Sequence, residues 1–149
     1  MIKRTVLWAS AFAAGAMLTG MAAAPSGASV DVTVTDLRNS KGTVRACMTS
    51  AEQAFPKCQG VKGAHRATLA ARGTVTFSFE GVKPGTYAIA LLHDENNNGK
   101  ADRALSMIPT EGYGFSRDAK VVMGPPSFAD AAFAVAGSDQ RQTIRMRYF

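Results

Sequence analysis

The chain predicts an all-β fold, an antiparallel sandwich of two sheets. Three features lead there. Apolar and polar residues alternate over a series of short runs, clusters of Gly, Pro and Asn separate those runs, and no helical period persists beyond the first two dozen residues. A length of 149 residues suits one ordinary domain and excludes a large multidomain enzyme.

The chain opens with a targeting pattern. Lys3 and Arg4 precede an apolar run from Val6 to Met21, and small residues follow, as in a secretory signal peptide. Three small-x-small sites compete for cleavage: Gly20-Met21-Ala22, Ala22-Ala23-Ala24 and Ser26-Gly27-Ala28. The last, just ahead of the first strand-like run, divides the chain into a signal over 1–28 and a domain over 29–149. A retained anchor helix is the alternative, because Val6 to Ala24 nearly spans a bilayer. Met21 stands where a lipoprotein signal needs cysteine after Leu18-Thr19-Gly20, so no lipid anchor is expected. The mature domain is therefore expected to be periplasmic or secreted, with no stable membrane insertion.

Export also narrows the partners. Without Lys3 and Arg4 the 17 basic residues become 15, against 11 acidic ones, which leaves +4 in place of the formal +6. Mild basicity suits anionic envelope surfaces. Nucleic acid is not an expected partner, because no long basic run or aromatic-basic ladder is present. Cys47 and Cys58 are the only cysteines, and in an oxidising compartment they read as a disulfide closing a short loop. Their spacing is far from C-x-x-C, which argues against a redox pair.

The strands follow in order. Val30, Val32 and Val34 alternate with Asp31, Thr33 and Thr35, the period of a half-buried strand. Asn39-Ser40-Lys41-Gly42 is a turn, and Val44, Ala46 and Met48 repeat the alternation against Arg45 and Cys47, so the first two runs read as a hairpin. Thr49 to Gly63 is a polar loop with room for one helical turn at Ala51 to Phe55. His65 to Ala70 is a short strand, and after Gly73 a clearer one places Val75, Phe77 and Phe79 opposite Thr76, Ser78 and Glu80. Val82-Lys83-Pro84-Gly85 reads as a type II turn, with Gly85 at the positive φ. Thr86 to Leu92 is apolar on both faces and reads as a central strand. His93 to Pro126 is rich in turns, with a short strand at Lys120 to Met123. Phe128 to Val135 is strand or short helix, and Arg141 to Phe149 closes the chain with another alternation.

Two stretches together carry a resemblance. Pro84-Gly85-Thr86-Tyr87-Ala88 runs into His93-Asp94-Glu95-Asn96-Asn97-Asn98-Gly99-Lys100-Ala101-Asp102, and Ile108-Pro109-Thr110-Glu111-Gly112-Tyr113-Gly114-Phe115-Ser116 precedes Pro125-Pro126-Ser127-Phe128-Ala129-Asp130-Ala131. In order and spacing these resemble a family of small exported bacterial proteins known as domain of unknown function 2141. The resemblance implies a β-sandwich of immunoglobulin-like or transthyretin-like type, similar to carboxypeptidase-regulatory domains. It implies no activity.

The candidate chemistry lies in the turn-rich region. Asp94, Asn96, Asn98, Gly99 and Asp102 fall at positions 1, 3, 5, 6 and 9 of the D-x-[DN]-x-[DN]-G calcium loop, with the Lys100 carbonyl at position 7. Hard cations need several oxygens on one point, which alternate side chains of a tight loop supply. Position 12 is Leu105 and no helices flank the loop, so an EF-hand is rejected. A β-loop variant remains, with Glu111 folded back to complete the shell and affinity in the weak range of about 0.1 to 1 mM. The competing reading is a hairpin turn in which the Asx side chains cap backbone amides without metal.

Three further residues belong to a candidate binding surface: His93 beside the loop, and Tyr113 and Phe115 in its glycine-rich return. The aromatics suit stacking on a sugar or a partner, or pinning of the loop to the core. Arg141, Arg145 and Arg147 share a strand face that suits acidic groups or simple solvation. No nucleophile or zinc motif is present. The expected function is thus a non-catalytic exported binding or structural module whose partner is an envelope protein or glycan. The alternatives are an envelope enzyme acting on carbohydrate with Glu111 and Asp94 as its carboxyl pair, and a purely structural domain with no metal.

Overall fold

The computed structural model describes residues 27–105 and 108–149. All but the last two residues of the predicted signal lie outside that range. Among the described residues ten strands form: β1 (Ala28–Thr35), β2 (Thr43–Thr49), β3 (His65–Ala70), β4 (Val75–Val82), β5 (Gly85–Asp94), β6 (Arg103–Ala104), β7 (Ile108–Pro109), β8 (Gly112–Phe115), β9 (Phe133–Val135) and β10 (Gln140–Arg145). A single helical turn, α1 (Phe128–Ala131), begins at a capping box in which Ser127 and Asp130 exchange side-chain and backbone bonds. Among the described residues no helix is long and apolar enough to cross a membrane.

The strands make a sandwich. One sheet has the order β10-β1-β4, the other β3-β2-β5-β8, with β9 beside β8 along the same edge of β5. A small β6-β7 ribbon stands apart. Between the sheets lies the core that alternation predicts. Val30, Val32 and Val34 of β1 face Val44, Ala46 and Met48 of β2 and Tyr87, Ile89 and Leu91 of β5, all nearly or fully buried. Each large apolar side chain buried in this way contributes about 1.5–3 kcal/mol, which is what holds the two layers together.

Three expectations need correction. β1 and β2 do not form a hairpin: β1 pairs with β4 and β10, and β2 with β3 and β5, so the chain crosses from one sheet to the other between them. Two strands that face one core from opposite sheets show the same alternation as two neighbours in one sheet, so periodicity alone does not separate the cases. The positive φ near the Pro84 turn belongs to Gly81 (φ 67°), not Gly85. Gly81 sits where the β1–β4 register shifts, and a side-chain carbon at Gly27 would come within 2.6 Å of it. Finally, Lys120 to Met123 is not a strand.

The last strand adds a feature that alternation does not encode. β10 pairs with β1 in parallel, Val30 to Gln140 through Thr35 to Arg145. Beyond it the chain swings across to the other sheet, where the backbone of Arg147 exchanges two hydrogen bonds with Tyr113, at 2.8 and 2.9 Å. This seam joins the sheets at one end and carries Phe149 to the outer face of the larger one.

Candidate functional site

The Asp94 loop folds around its own carboxylates. Asp94 ends β5 fully buried; its two oxygens accept the amides of Asn98 (3.1 Å) and Gly99 (2.8 Å) and the Arg45 Nε–H (2.6 Å). Burial pushes its carboxyl up, but these donors outweigh it and hold the group below the usual carboxylate range. Asn96 and Asn98 accept the amides two residues on, Asn98 and Lys100, as Asx turns do. Their side-chain amides in turn reach Asp102, at 2.6 Å from Asn96 and 2.8–2.9 Å from Asn98.

Glu111 does fold back, as expected, and its role there is to clamp the loop's two ends. Its carboxylate accepts the amides of Glu95 and Asp102, each at 3.1 Å, and the residue is 4% exposed. Burial raises its pKa, the two amides oppose that, and the charges of Asp102 and Asp94 add to it. The carboxylate oxygens of Asp94 and Glu111 are thus taken up by N–H donors. Among the described residues no group of three Asp, Glu, His or Cys side chains is placed to hold a metal ion.

His93 is not at a surface. It is fully buried, with Nε2 2.8 Å from the Lys41 carbonyl and Nδ1 2.8 Å from the Tyr148 hydroxyl. A carbonyl only accepts, so Nε2 donates to Lys41, and the Tyr148 hydroxyl is the partner of Nδ1. Tyr148 also accepts the Arg38 amide and lies under the Arg38 guanidinium, 4.6 Å from its centroid; Arg38 in turn pairs with Glu95 at 2.6 Å. This network ties the C-terminus to the root of the Asp94 loop. Phe115 is buried as well, edge-on to Phe55 at 5.8 Å in a second small core formed with Ala88, Ala90 and Ala131.

That second core covers only part of the larger sheet's outer face. Strand register sets Thr68, Arg45, Leu92 and Tyr113 in one row across the face, and Arg66, Cys47, Ala90 and Phe115 in the next. Over these rows lies an open groove of about 1270 Å³. One wall is the segment held by the Cys47–Cys58 disulfide, whose Cα atoms are 6.3 Å apart. The other walls are Lys100, Ala101 and Arg103 with Ile108 and Pro109, then Val121 with Met123 to Pro125, and Phe149.

Five cations line the groove: Arg45, Lys57, Arg66, Lys100 and Arg103; no acidic side chain among the described residues does. Arg45 is balanced by Asp94, whereas Arg66 donates to the backbone carbonyls of Cys58, Val61 and Ala64 and keeps its charge uncompensated. Tyr113 stands at the β8 edge of the floor. Its hydroxyl oxygen is covered and lies near the Arg103 guanidinium, with no hydrogen bond of good geometry among the described residues. Burial raises the phenol's pKa, against the pull of the nearby Arg103 guanidinium.

Of the residues singled out in the sequence, Asp94, Asn96, Asn98, Asp102 and Glu111 come together in one loop, and Tyr113 and Lys100 line the groove beside it. His93 is held in the interior, and Phe115 is buried in the second small core on the outer face, at the groove floor. Arg145 and Arg147 converge on Asp118 at 3.0 and 2.8 Å and so form an internal clasp, while Arg141 is left exposed. Sequence reasoning missed Arg45, Lys57, Arg66 and Arg103. The available signal was the outward parity of Arg45 and Arg66 on their strands; the loop cations carry none.

No curated protein sequence matches the chain, and no solved structure does. Residues 32–143 match the family described as "Uncharacterized protein conserved in bacteria (DUF2141)". That span runs from within β1 into β10 and takes in the Asp94 loop and most of the groove, so the chain belongs to this family.

Proposed function

We propose that this chain is an exported, non-catalytic binding module that takes an anionic ligand in the groove on the outer face of its larger sheet. The observation that carries this reading is the groove's one-sided charge: five cations converge on a concave surface that no acidic side chain among the described residues lines. Export to the periplasm or medium is supported by the Lys3-Arg4 leader with its apolar run, and by the disulfide that walls the groove. Binding is favoured over carbohydrate hydrolysis because Asp94 and Glu111, the carboxyl pair such an enzyme would use, are buried and engaged with backbone amides. A general acid or base must reach its substrate.

The test is titration with anilinonaphthalene sulfonate, an anionic aromatic dye that fluoresces when desolvated. The oxidised domain is expected to bind one equivalent saturably, and Lys57→Glu with Arg103→Glu is expected to weaken binding at least about tenfold, since each like-charge contact costs on the order of 1 kcal/mol. Equal affinity in wild type and double variant would overturn the groove as the site.

In this reading the Asp94 loop is the scaffold of the groove's wall, held by its own hydrogen bonds with no metal. Millimolar calcium is then expected to leave the thermal midpoint where chelator leaves it. A saturable rise, as mass action on a native-state site produces, would assign Asp94, Asn96, Asn98, Asp102 and Glu111 to a cation instead.

A further inference from the structure

Charge alone does not account for the groove's rim. The described residues expose five large apolar side chains: Leu105, Ile108, Val122, Met123 and Phe149. Ile108, Met123 and Phe149 line the groove, and Leu105 and Val122 sit beside them on the same two loops. Met123 is fully exposed, and both it and Leu105 hold positive φ, 57° and 49°, a backbone region that long side chains avoid. Two loops thus present apolar tips to solvent in strained conformations, on a groove whose floor is Leu92 and Ala90. Such exposure carries a cost in water, and a ligand with an apolar body removes it.

The two halves of the lining have different chemistry. Lys57 and Arg66 come from the disulfide-held segment and β3, and Lys100 and Arg103 from the opposite wall; Lys57, Lys100 and Arg103 have no acidic partner among the described residues. We infer that the groove accommodates a single-chain anionic amphiphile, an alkyl or acyl chain bearing a phosphate or carboxylate. The head is held by the cations, and the chain lies over Leu92 against Ile108, Met123 and Phe149. A small inorganic anion would leave the apolar rim wet, and a neutral amphiphile would leave the cations unmatched. The volume of about 1270 Å³, somewhat above the usual small-molecule range of about 300–1,000 Å³, leaves room for such a chain.

This inference rests on the groove being the binding site, and the experiment separates the two. Dodecyl phosphate, kept below its micelle concentration, is used to displace anilinonaphthalene sulfonate from the oxidised domain, beside inorganic phosphate and dodecyl maltoside. Dodecyl phosphate is expected to displace the dye at concentrations at least about tenfold lower than either. Met123→Asp with Ile108→Asp should remove that advantage, while Lys83→Glu, an exposed charge change away from the groove, should not. Inorganic phosphate acting equally well would overturn the chain while leaving the anionic groove in place; dodecyl maltoside acting equally well would overturn the charged head. Sedimentation with phosphatidylglycerol vesicles but no displacement by monomeric dodecyl phosphate would replace the inference with docking on a membrane surface. A dye that never binds would remove the groove reading itself.

Discussion

Glu111 shows how one carboxylate sets a loop and a pH dependence together. It ties the amides of Glu95 and Asp102, which bracket the Asp94 turn, from a buried position beside two other carboxylates. Its pKa in the fold lies above the unfolded value, so its contribution to stability is fully present below the unfolded pKa and is lost as pH rises through the folded one. Asp94, Glu95 and Asp118 have the opposite sign. Burial pushes each up, but Arg45, Asn39 with Arg38, and Arg145 with Arg147 respectively outweigh it, so their contributions stand above the unfolded pKa and fade as pH falls through the lowered one. The wild-type midpoint is therefore expected to decline through Glu111 as pH rises above the ordinary carboxylate range. Glu111→Gln loses one amide bond at every pH but titrates nowhere in that range, so its midpoint is expected to be lower and flatter. Parallel pH profiles for the two proteins by calorimetry would show that Glu111 does not carry the slope.

At the scale of elements, β8 explains why Gly-Tyr-Gly-Phe stands where it does. Tyr113 and Phe115 point outward, and the inward positions are both glycine. A side-chain carbon on Gly114 would lie 2.7 Å from Ile144 and 3.1 Å from the Arg145 carbonyl, and one on Gly112 would overlap the Tyr148 ring. The bare inward edge is what lets the returning C-terminal segment dock and form the Arg147–Tyr113 seam. Gly114→Ala is expected to destabilise by about 1–3 kcal/mol, the usual cost of overpacking, because the Arg145 carbonyl cannot turn away as a side chain can. A midpoint within a degree of wild type would mean the two segments are not in register as described. The same elements mark what was legible in the sequence. Val30-Val32-Val34 declared a strand and its inward face through a period of two, and Thr86 to Leu92 declared a central strand by being apolar on both faces. Which sheet β1 joined, and the parallel pairing of β10, were not legible, because a period reports a face and not a neighbour. The Asp94 loop was legible as a motif, yet spacing could not distinguish oxygens around an ion from oxygens around amides. The groove as a whole was not legible, since Lys57 and Lys100 reach it from loops and Arg103 from the two-residue strand β6.

For the molecule as a whole, the disulfide couples stability to the proposed site. Cys47 lies on the outer face of β2, within the groove floor, and Cys58 is buried in the loop that follows, so the bond fastens the segment carrying Lys57 against the sheet. Arg66, opposite Cys47 on β3, reinforces it by donating to the Cys58 carbonyl. Closing a loop of this length limits the unfolded chain by about 2–3 kcal/mol, a large share of the roughly 5–15 kcal/mol that holds a domain of this size. Reduction is therefore expected to lower the thermal midpoint by roughly 10 °C. If the segment is also a wall of the binding site, reduction at a temperature well below that midpoint should weaken dye binding while circular dichroism still reports folded strands. The paired variant Cys47→Ala with Cys58→Ala should do the same without reductant. A lowered midpoint with unchanged dye affinity would confine the disulfide to stability and move the site away from the Lys57 wall; an unchanged midpoint would mean that the remaining contacts of that segment suffice to order it, and that the oxidising compartment is not needed for this fold.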